Sequence, residues 1–354
     1  YLVPGFIFQS VMIGGGYGTG AEIAQYFGTS GMIGGLLGML VTMAVWCLLC
    51  AVTFEFSRVF KTFDYGSMMK RLLGKAAILY DVCYYIMMLI VLGVVNATAG
   101  SMISSLTGLS SWFGVILLSL GIVILVLKGT EAIETVLSFW SYVLYAVYIL
   151  FLIVVFSKFG GEIGAEFSKG EIAPTWFSSG LTYAFYNLVV VPLVLYTMRD
   201  CESRKEAVGC GILSGVIAIV PGILLLLTMG CNMAEAVSAE TPVTVIFDML
   251  DMRWLYILFE IVLFGTLIET GTGFIKATTD RLEVAMTNSG KQIPASLHAT
   301  LVIGLTAIGI CISTFGLTNL IAKGYGTACY GFLILFAIPM LTLGIYKISK
   351  SGKS

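Results

Sequence analysis

Apolar residues run along this chain in blocks of twenty or more, separated by short stretches where charged residues collect. A block of about 20 apolar residues is the length that crosses a bilayer as helix. The ten-residue alternation of a membrane barrel is not visible. The pattern predicts an all-α integral membrane protein with ten transmembrane helices. They fall roughly at 3–27, 31–58, 76–106, 112–128, 132–157, 176–198, 206–230, 253–280, 295–314 and 318–346. Several exceed the minimum length, so they tilt or project. Tyr65–Leu73 and Val243–Leu250 are amphipathic and predict short helices lying across the two mouths of the bundle. Residues 158–175 and 231–252 read as long outer loops. No stretch reads as a separate soluble domain, so residues 1–354 are expected to form a single transmembrane domain.

Charge orients the bundle. Arg58, Lys61, Lys70, Arg71, Lys75, Lys128, Arg199, Arg204, Lys205, Lys276, Arg281, Lys291, Lys347, Lys350 and Lys353 fall on one side of the ten spans. Only Lys158, Lys169 and Arg253 fall on the other, and Lys323 lies within the last span. Basic residues collect in cytoplasmic loops, so an even number of spans with both termini in the cytoplasm is expected.

Composition agrees with the pattern. Of 354 residues, 58% are hydrophobic and 11% charged, against about 25% charged in an ordinary soluble domain. The mean hydropathy is +0.99. A net charge of −1 gives no reason to expect a nucleic-acid partner. The eight cysteines are scattered through apolar runs and read as small buried hydrophobes. Cys47 and Cys50 sit one helical turn apart, but a metal site needs further ligands, and the one histidine is His298. The chain starts abruptly in an apolar segment without a basic region or cleavage site, which reads as a trimmed terminus and not a signal peptide.

Three spans carry features that a plain membrane helix does not need. In span 1, five of the seven residues from Gly14 to Gly20 are glycine. Each costs about 1 kcal/mol in a helix interior relative to alanine. One reading is close helix packing through small residues. The other is an unwound segment at membrane depth, which protein or a cavity must surround. Its freed N–H groups then suit a carboxylate and its freed carbonyls a cation. In span 6, Asn187 stands among apolar residues and Pro192 frees a carbonyl about one turn upstream, which predicts a partial break near residues 185–188. In span 8, Glu269 lies near the middle, with Thr266, Thr270 and Gly273 on an adjoining face. An acid inside the membrane marks a functional candidate; the alternative is an ion pair with Lys276 or Lys323. Asn96 and Asn319 read as helix-bonding or pocket residues, and Tyr84 and Tyr85 as packing or gating residues. Glu55, Asp81, Glu131, Glu134 and Asp280 are expected to pair with the basic loops.

Ten spans, a glycine-broken span 1 and a polar interruption in span 6 together resemble the LeuT-type fold of the amino acid–polyamine–organocation transporter superfamily. The phrase Ile13-Gly14-Gly15-Gly16-Tyr17-Gly18-Thr19-Gly20 is similar to that superfamily's glycine-rich first helix. The whole chain is similar to uncharacterised bacterial membrane proteins of the YkvI type. The resemblance implies a 5+5 inverted repeat, residues about 1–159 and 174–346, with interrupted helices 1 and 6. It implies a small-molecule substrate, an amino acid, held by Gly14, Gly15, Gly16, Tyr17 and Gly18 on one wall and by Phe185, Tyr186 and Asn187 on the other. Asn96 of span 3 would shape the pocket. Thr266, Glu269 and Thr270 are the nearest matches to the superfamily's sodium site. A carboxylate replaces its adjacent hydroxyl pair, which leaves Na+ and H+ both open as the coupling ion. No cofactor beyond Na+ is expected.

The function this predicts is secondary active transport of a small amino acid or related zwitterion in the cytoplasmic membrane of a bacterium. A transporter-like receptor that binds a ligand without net transport is the alternative. No GxxxxGK[ST] loop supplies ATP binding. A single histidine without HExxH gives no catalytic set, so an enzyme is not expected.

Overall fold

A computed structural model of the chain describes residues 1–287, 290, 293–315 and 325–351. Span 1 is divided into α1 (Val3–Met12), α2 (Gly15–Gly18) and α3 (Ala21–Tyr26). There follow α4 (Gly31–Phe60), α5 (Tyr65–Leu73), α6 (Ala77–Thr107), α7 (Ser111–Lys128) and α8 (Thr130–Ser168). Span 6 is α9 (Trp176–Asn187) continued by a 3-10 helix, Leu188–Met198. The chain goes on through α10 (Arg204–Met229), α11 (Met233–Ser238), α12 (Pro242–Leu250), α13 (Arg253–Thr287) and α14 (Ala295–Ser313). The described part of the last span is α15 (Gly326–Phe332), two π-helical turns and α16 (Ile345–Ser351).

Nine helical segments among the described residues are long and apolar enough to cross a membrane, and α1 adds a shorter apolar helix. The protein is a multi-pass membrane protein. Its exposed apolar residues, such as Ile116, Leu117, Leu120 and Ile124 on α7, face outward, where lipid solvates them.

Helices approach through small residues, because lipid gives apolar side chains no reason to leave it and close backbone contact supplies the attraction. The backbone of α4 at Cys50 and Ala51 leaves no room for a Cβ at Gly211 of α10, and at Cys47 none at Gly215. α1 lies along α10, with Gly5 against Ser214 and Ile217. Side chains stitch α4 to α9: Thr42 Oγ1 donates to Gly180 O at 2.9 Å, and Trp46 Nε1 to Ala184 O at 3.1 Å.

The loops sort into two ends. At one, Arg58 donates to Glu202 O at 3.2 Å, Lys347 to Arg71 O at 2.6 Å, and Arg281 pairs with Asp81 at 3.1 Å. At the other, Lys158 donates to Leu250 O at 2.7 Å, and Ala173 N to Ser30 O at 3.2 Å. The amphipathic stretches form α5 and α12 as expected. The outer segment expected as loop from residue 158 is shorter: α8 continues to Ser168 past a kink at Phe159 (φ −125°, ψ 23°). Ile163 and Glu166 are buried along that extension, and Glu166 pairs with Lys169 at 2.6 Å. Lys291, Lys353, Asn319 and Lys323 lie outside the described residues, as does the start of span 10.

Candidate functional site

α1 stops at Met12 because the next two residues leave helical backbone. Ile13 has φ −74° and ψ 79°, and Gly14 is extended at φ −89°, ψ −168°. Gly20 has φ +82°, a left-handed conformation that glycine adopts without steric cost. That residue turns the chain into α3. The glycines between also admit close neighbours. A Cβ on Gly15 would overlap Thr98 of α6, and one on Gly18 would overlap Leu263 of α13. Gly14 is looser, with Thr270 Cγ2 at 3.5 Å from its Cβ position. Both sequence readings therefore hold, since the run breaks the helix and also lets α6 and α13 close on it. No side chain caps α2.

Span 6 changes winding where a break was expected. α9 ends at Asn187, whose Nδ2 donates to Tyr183 O at 3.1 Å. The eleven following residues form a 3-10 helix that contains Pro192. Such runs rarely exceed 3–4 residues, and a long one inside a span marks a hinge or strain. The backbone tightens here and does not unwind.

α13 crosses the break in span 1. Thr270 Oγ1 donates to Ile13 O at 3.1 Å and to Ser10 O at 3.4 Å. Glu269 beside it is 2% exposed, and neither carboxyl oxygen has a hydrogen-bond partner among the described residues. Ser10 is the hydroxyl that faces it, but Ser10 Oγ is engaged with Leu137 O at 3.1 Å and Ser141 Oγ at 2.7 Å. Lys276 does not neutralise Glu269: it pairs with Asp280 at 2.7 Å. Thr266 Oγ1 turns back to its own helix, on Leu263 O at 2.7 Å.

These elements border a small, partly open cavity. Met12 and Gly14 of the break, Val91 of α6, Tyr186 and Asn187 of α9, Thr270 and Phe274 of α13, and Tyr325 line it. So does Glu22 of α3, the one carboxyl on its wall among the described residues. Glu22 is buried and accepts a hydrogen bond from Tyr186 Oη. The Tyr186 ring stacks on Tyr325 with centroids 4.8 Å apart. Tyr84, below Phe274, donates to its carbonyl at 2.7 Å.

Of the residues singled out in the sequence, Gly14, Tyr186, Asn187 and Thr270 meet at this cavity, with Glu269 adjacent along α13. Others do not. Asn96 points away, bonded to Leu92 O at 2.7 Å and to Ser119 of α7 at 3.2 Å. Phe185 is half-buried and absent from the wall. Tyr17 reaches Ala218 O of α10 at 3.4 Å. Gly15, Gly16 and Gly18 are not on the wall; Gly15 packs against Thr98 and Gly18 against Leu263. Sequence reading missed Glu22, Phe274 and Tyr325. Phe274 is one turn beyond Thr270 on the same face, and that spacing was the available signal. Glu22 was signalled only by its closeness to the glycine run.

The chain is 23% identical to the uncharacterised membrane protein YkvI of Bacillus subtilis (strain 168) over 314 residues, covering 83% of this chain and 84% of that protein. No family model matches it. Among solved structures, it superposes on a Na+-coupled sialic acid symporter with a TM-score of 0.70 at 12% identity, covering 96% of this chain and 79% of that one. It superposes on MhsT in complex with L-phenylalanine with a TM-score of 0.65 at 17% identity, covering 95% and 87%. For Mhp1, a nucleobase-cation-symport-1 family transporter, the TM-score is 0.61 at 11% identity, covering 99% and 92%. The chain has the LeuT-type fold.

Proposed function

We propose that this protein is a secondary active transporter of a small amino acid or related zwitterion, coupled to Na+ or H+ and working by alternating access. The observation that carries the reading is a convergence. The broken backbone of span 1, the change of winding in span 6 and Thr270 of α13, with Glu269 next to it in sequence, meet around one cavity. Interrupted helices at matching places in two halves are where transporters hold substrate and ion. On this reading, residues about 1–159 and 174–346 are inverted repeats, the first opening on a broken span and the second on one that changes winding.

The substrate carboxylate would meet the backbone N–H groups from Gly15 to Tyr17, which no side chain caps. Tyr186 and Asn187 would form the facing wall. The coupling ion would sit where α1 and α13 meet. Ser10 O, Ile13 O, Thr270 Oγ1 and the Glu269 carboxyl are hard oxygens suited to Na+. A bare carboxylate in such burial is costly, so either Na+ or a proton satisfies Glu269. An ion held there ties α13 to the break and shifts the population between outward- and inward-open states. The names of the structural neighbours, a Na+-coupled symporter among them, support this class of function.

With the basic end of the bundle taken as cytoplasmic, both termini would face the cytoplasm of a bacterium and the protein would lie in its cytoplasmic membrane. A thermal-shift screen of amino acids, with and without Na+ and at two pH values, tests the reading. Ligands that bind the folded state raise apparent stability. One amino acid is expected to do so in an ion-dependent way, and Glu269→Gln is expected to remove the ion dependence. No stabilisation by any amino acid would discard the substrate class.

A further inference from the structure

A second small cavity, lined by Thr19 of the glycine run, shares no lining residue with the first. α3's approach, α6, α12 and α13 bound it, through Thr19, Thr98, Thr244, Tyr256 and Glu260. We infer that it is a binding site for a monovalent cation, separate from the one at the break, with Glu260 and Thr98 as its principal ligands.

Two buried oxygens on its wall lack partners. Glu260 is 5% exposed and its Oε2 has no hydrogen bond among the described residues. Thr98 is 1% exposed and its Oγ1 has none either. Unpaired buried polar atoms are costly and point to an absent partner.

The surrounding hydroxyls decide the sign of that partner. Thr19 Oγ1 gives its proton to Gly15 O at 2.8 Å, and Thr244 Oγ1 gives its proton to Thr241 O at 2.6 Å. Both therefore turn lone pairs, not protons, to any ligand. No basic side chain lines the cavity among the described residues. An anion would meet only neutral hydroxyls and a carboxyl that repels it, whereas a cation finds oxygens of the hard type. One carboxyl with neutral oxygens suits a single charge. Clusters of three or more His, Cys, Asp or Glu residues that would hold a divalent metal are absent among the described residues.

The approach is acidic as well. Two open clefts adjoin the cavity. One shares Ser101 and Thr241 with it and carries Glu240; the other shares Ser105 and Tyr256 and carries Asp248, Asp251 and one basic residue, Arg253. Clefts of one sign concentrate the opposite ion. Occupancy would bear on the break, because Val243 N of α12 donates to Thr19 O at 3.2 Å. A cation bridging Glu260 and Thr98 would hold α6, α12 and α13 around α2.

The test is a sodium titration of thermal stability on the purified full chain, at fixed ionic strength and pH, with N-methylglucamine as the replacement cation. Wild type is expected to be stabilised by Na+. Glu260→Gln should raise the half-maximal Na+ concentration by about tenfold or more, and Thr98→Val by about threefold, as expected for losing a charged and a neutral oxygen ligand. Thr98→Val keeps the side chain's shape against Gly15, so it decides the question if Glu260→Gln does not fold. The proposal is overturned if the folded variants titrate as wild type, or if N-methylglucamine stabilises equally. It is also overturned if only Thr270→Val removes the sodium response, which would assign the whole effect to the break and leave the transport reading intact.

Discussion

Glu22 and Tyr186 are 164 residues apart and share a hydrogen bond inside the cavity. A buried carboxyl that loses its donor bears the full desolvation cost, whereas removing both members together is far milder. Tyr186→Phe alone should therefore lower apparent thermal stability by several degrees, and Glu22→Met in the same chain should recover most of the loss. Additive losses in the double variant would mean that the two side chains do not interact. This pair also marks a limit of sequence reading. Glu22 follows Gly20 and reads locally as an acid in the first turn of a restarting helix, which is favourable for its own reasons. Nothing nearby in sequence names Tyr186 as its partner. Asn96, read as either a helix-bonding or a pocket residue, shows the reverse difficulty. A polar residue in mid-span draws attention, but helical period alone cannot say which face turns to the cavity, and this one turns to Ser119. Glu269, by contrast, stood out as an intramembrane acid. The structure adds that Lys276 is occupied elsewhere.

At the scale of elements, the glycine run carries distinct demands at distinct positions. Gly20 is left-handed, and its Cβ position lies 2.6 Å from Met229 Cε and 3.3 Å from Pro242 Cβ. Gly20→Ala should be destabilising by more than about 1 kcal/mol, from backbone strain with overlap added. Gly14→Ala should be nearly neutral, since φ −89° suits any residue and its Cβ meets only ordinary contacts. Comparing the two melting temperatures tests whether position, and not glycine content, matters; equal losses would contradict the account. The spans were legible because twenty apolar residues admit few structures, and α5 and α12 because their amphipathic period is strong. The 3-10 segment after Asn187 was less so. Pro192 announces a disturbance, but whether backbone opens or tightens is set by tertiary packing, which no local pattern records. The extension of α8 to Ser168 was hidden by Glu162 and Glu166, which read as loop polarity until Lys169 pairs with Glu166.

For the whole molecule, the two ends differ in charge and in fastening. The basic end is closed by Arg281–Asp81 and by Lys347 on the carbonyls at Arg71 and Leu72. The opposite end holds the acidic clefts and α12. Alkaline phosphatase inserted at Gly170 should be active, as on the outer face, and inactive when fused after Ser354. The reverse pattern would invert the assigned topology. Under the expected pattern the acidic end would face outward, where a cation enters, and the cavity beside Gly14 would be reached from either side in turn. Uptake in proteoliposomes tests this most directly. An amino acid that stabilises the protein should accumulate against its gradient when a Na+ or H+ gradient is imposed. Gly14→Leu, which fills the cavity from an unstrained position, should stop accumulation in a folded protein. Wild-type accumulation by Gly14→Leu, or binding with no gradient-driven accumulation in wild type, would contradict the account.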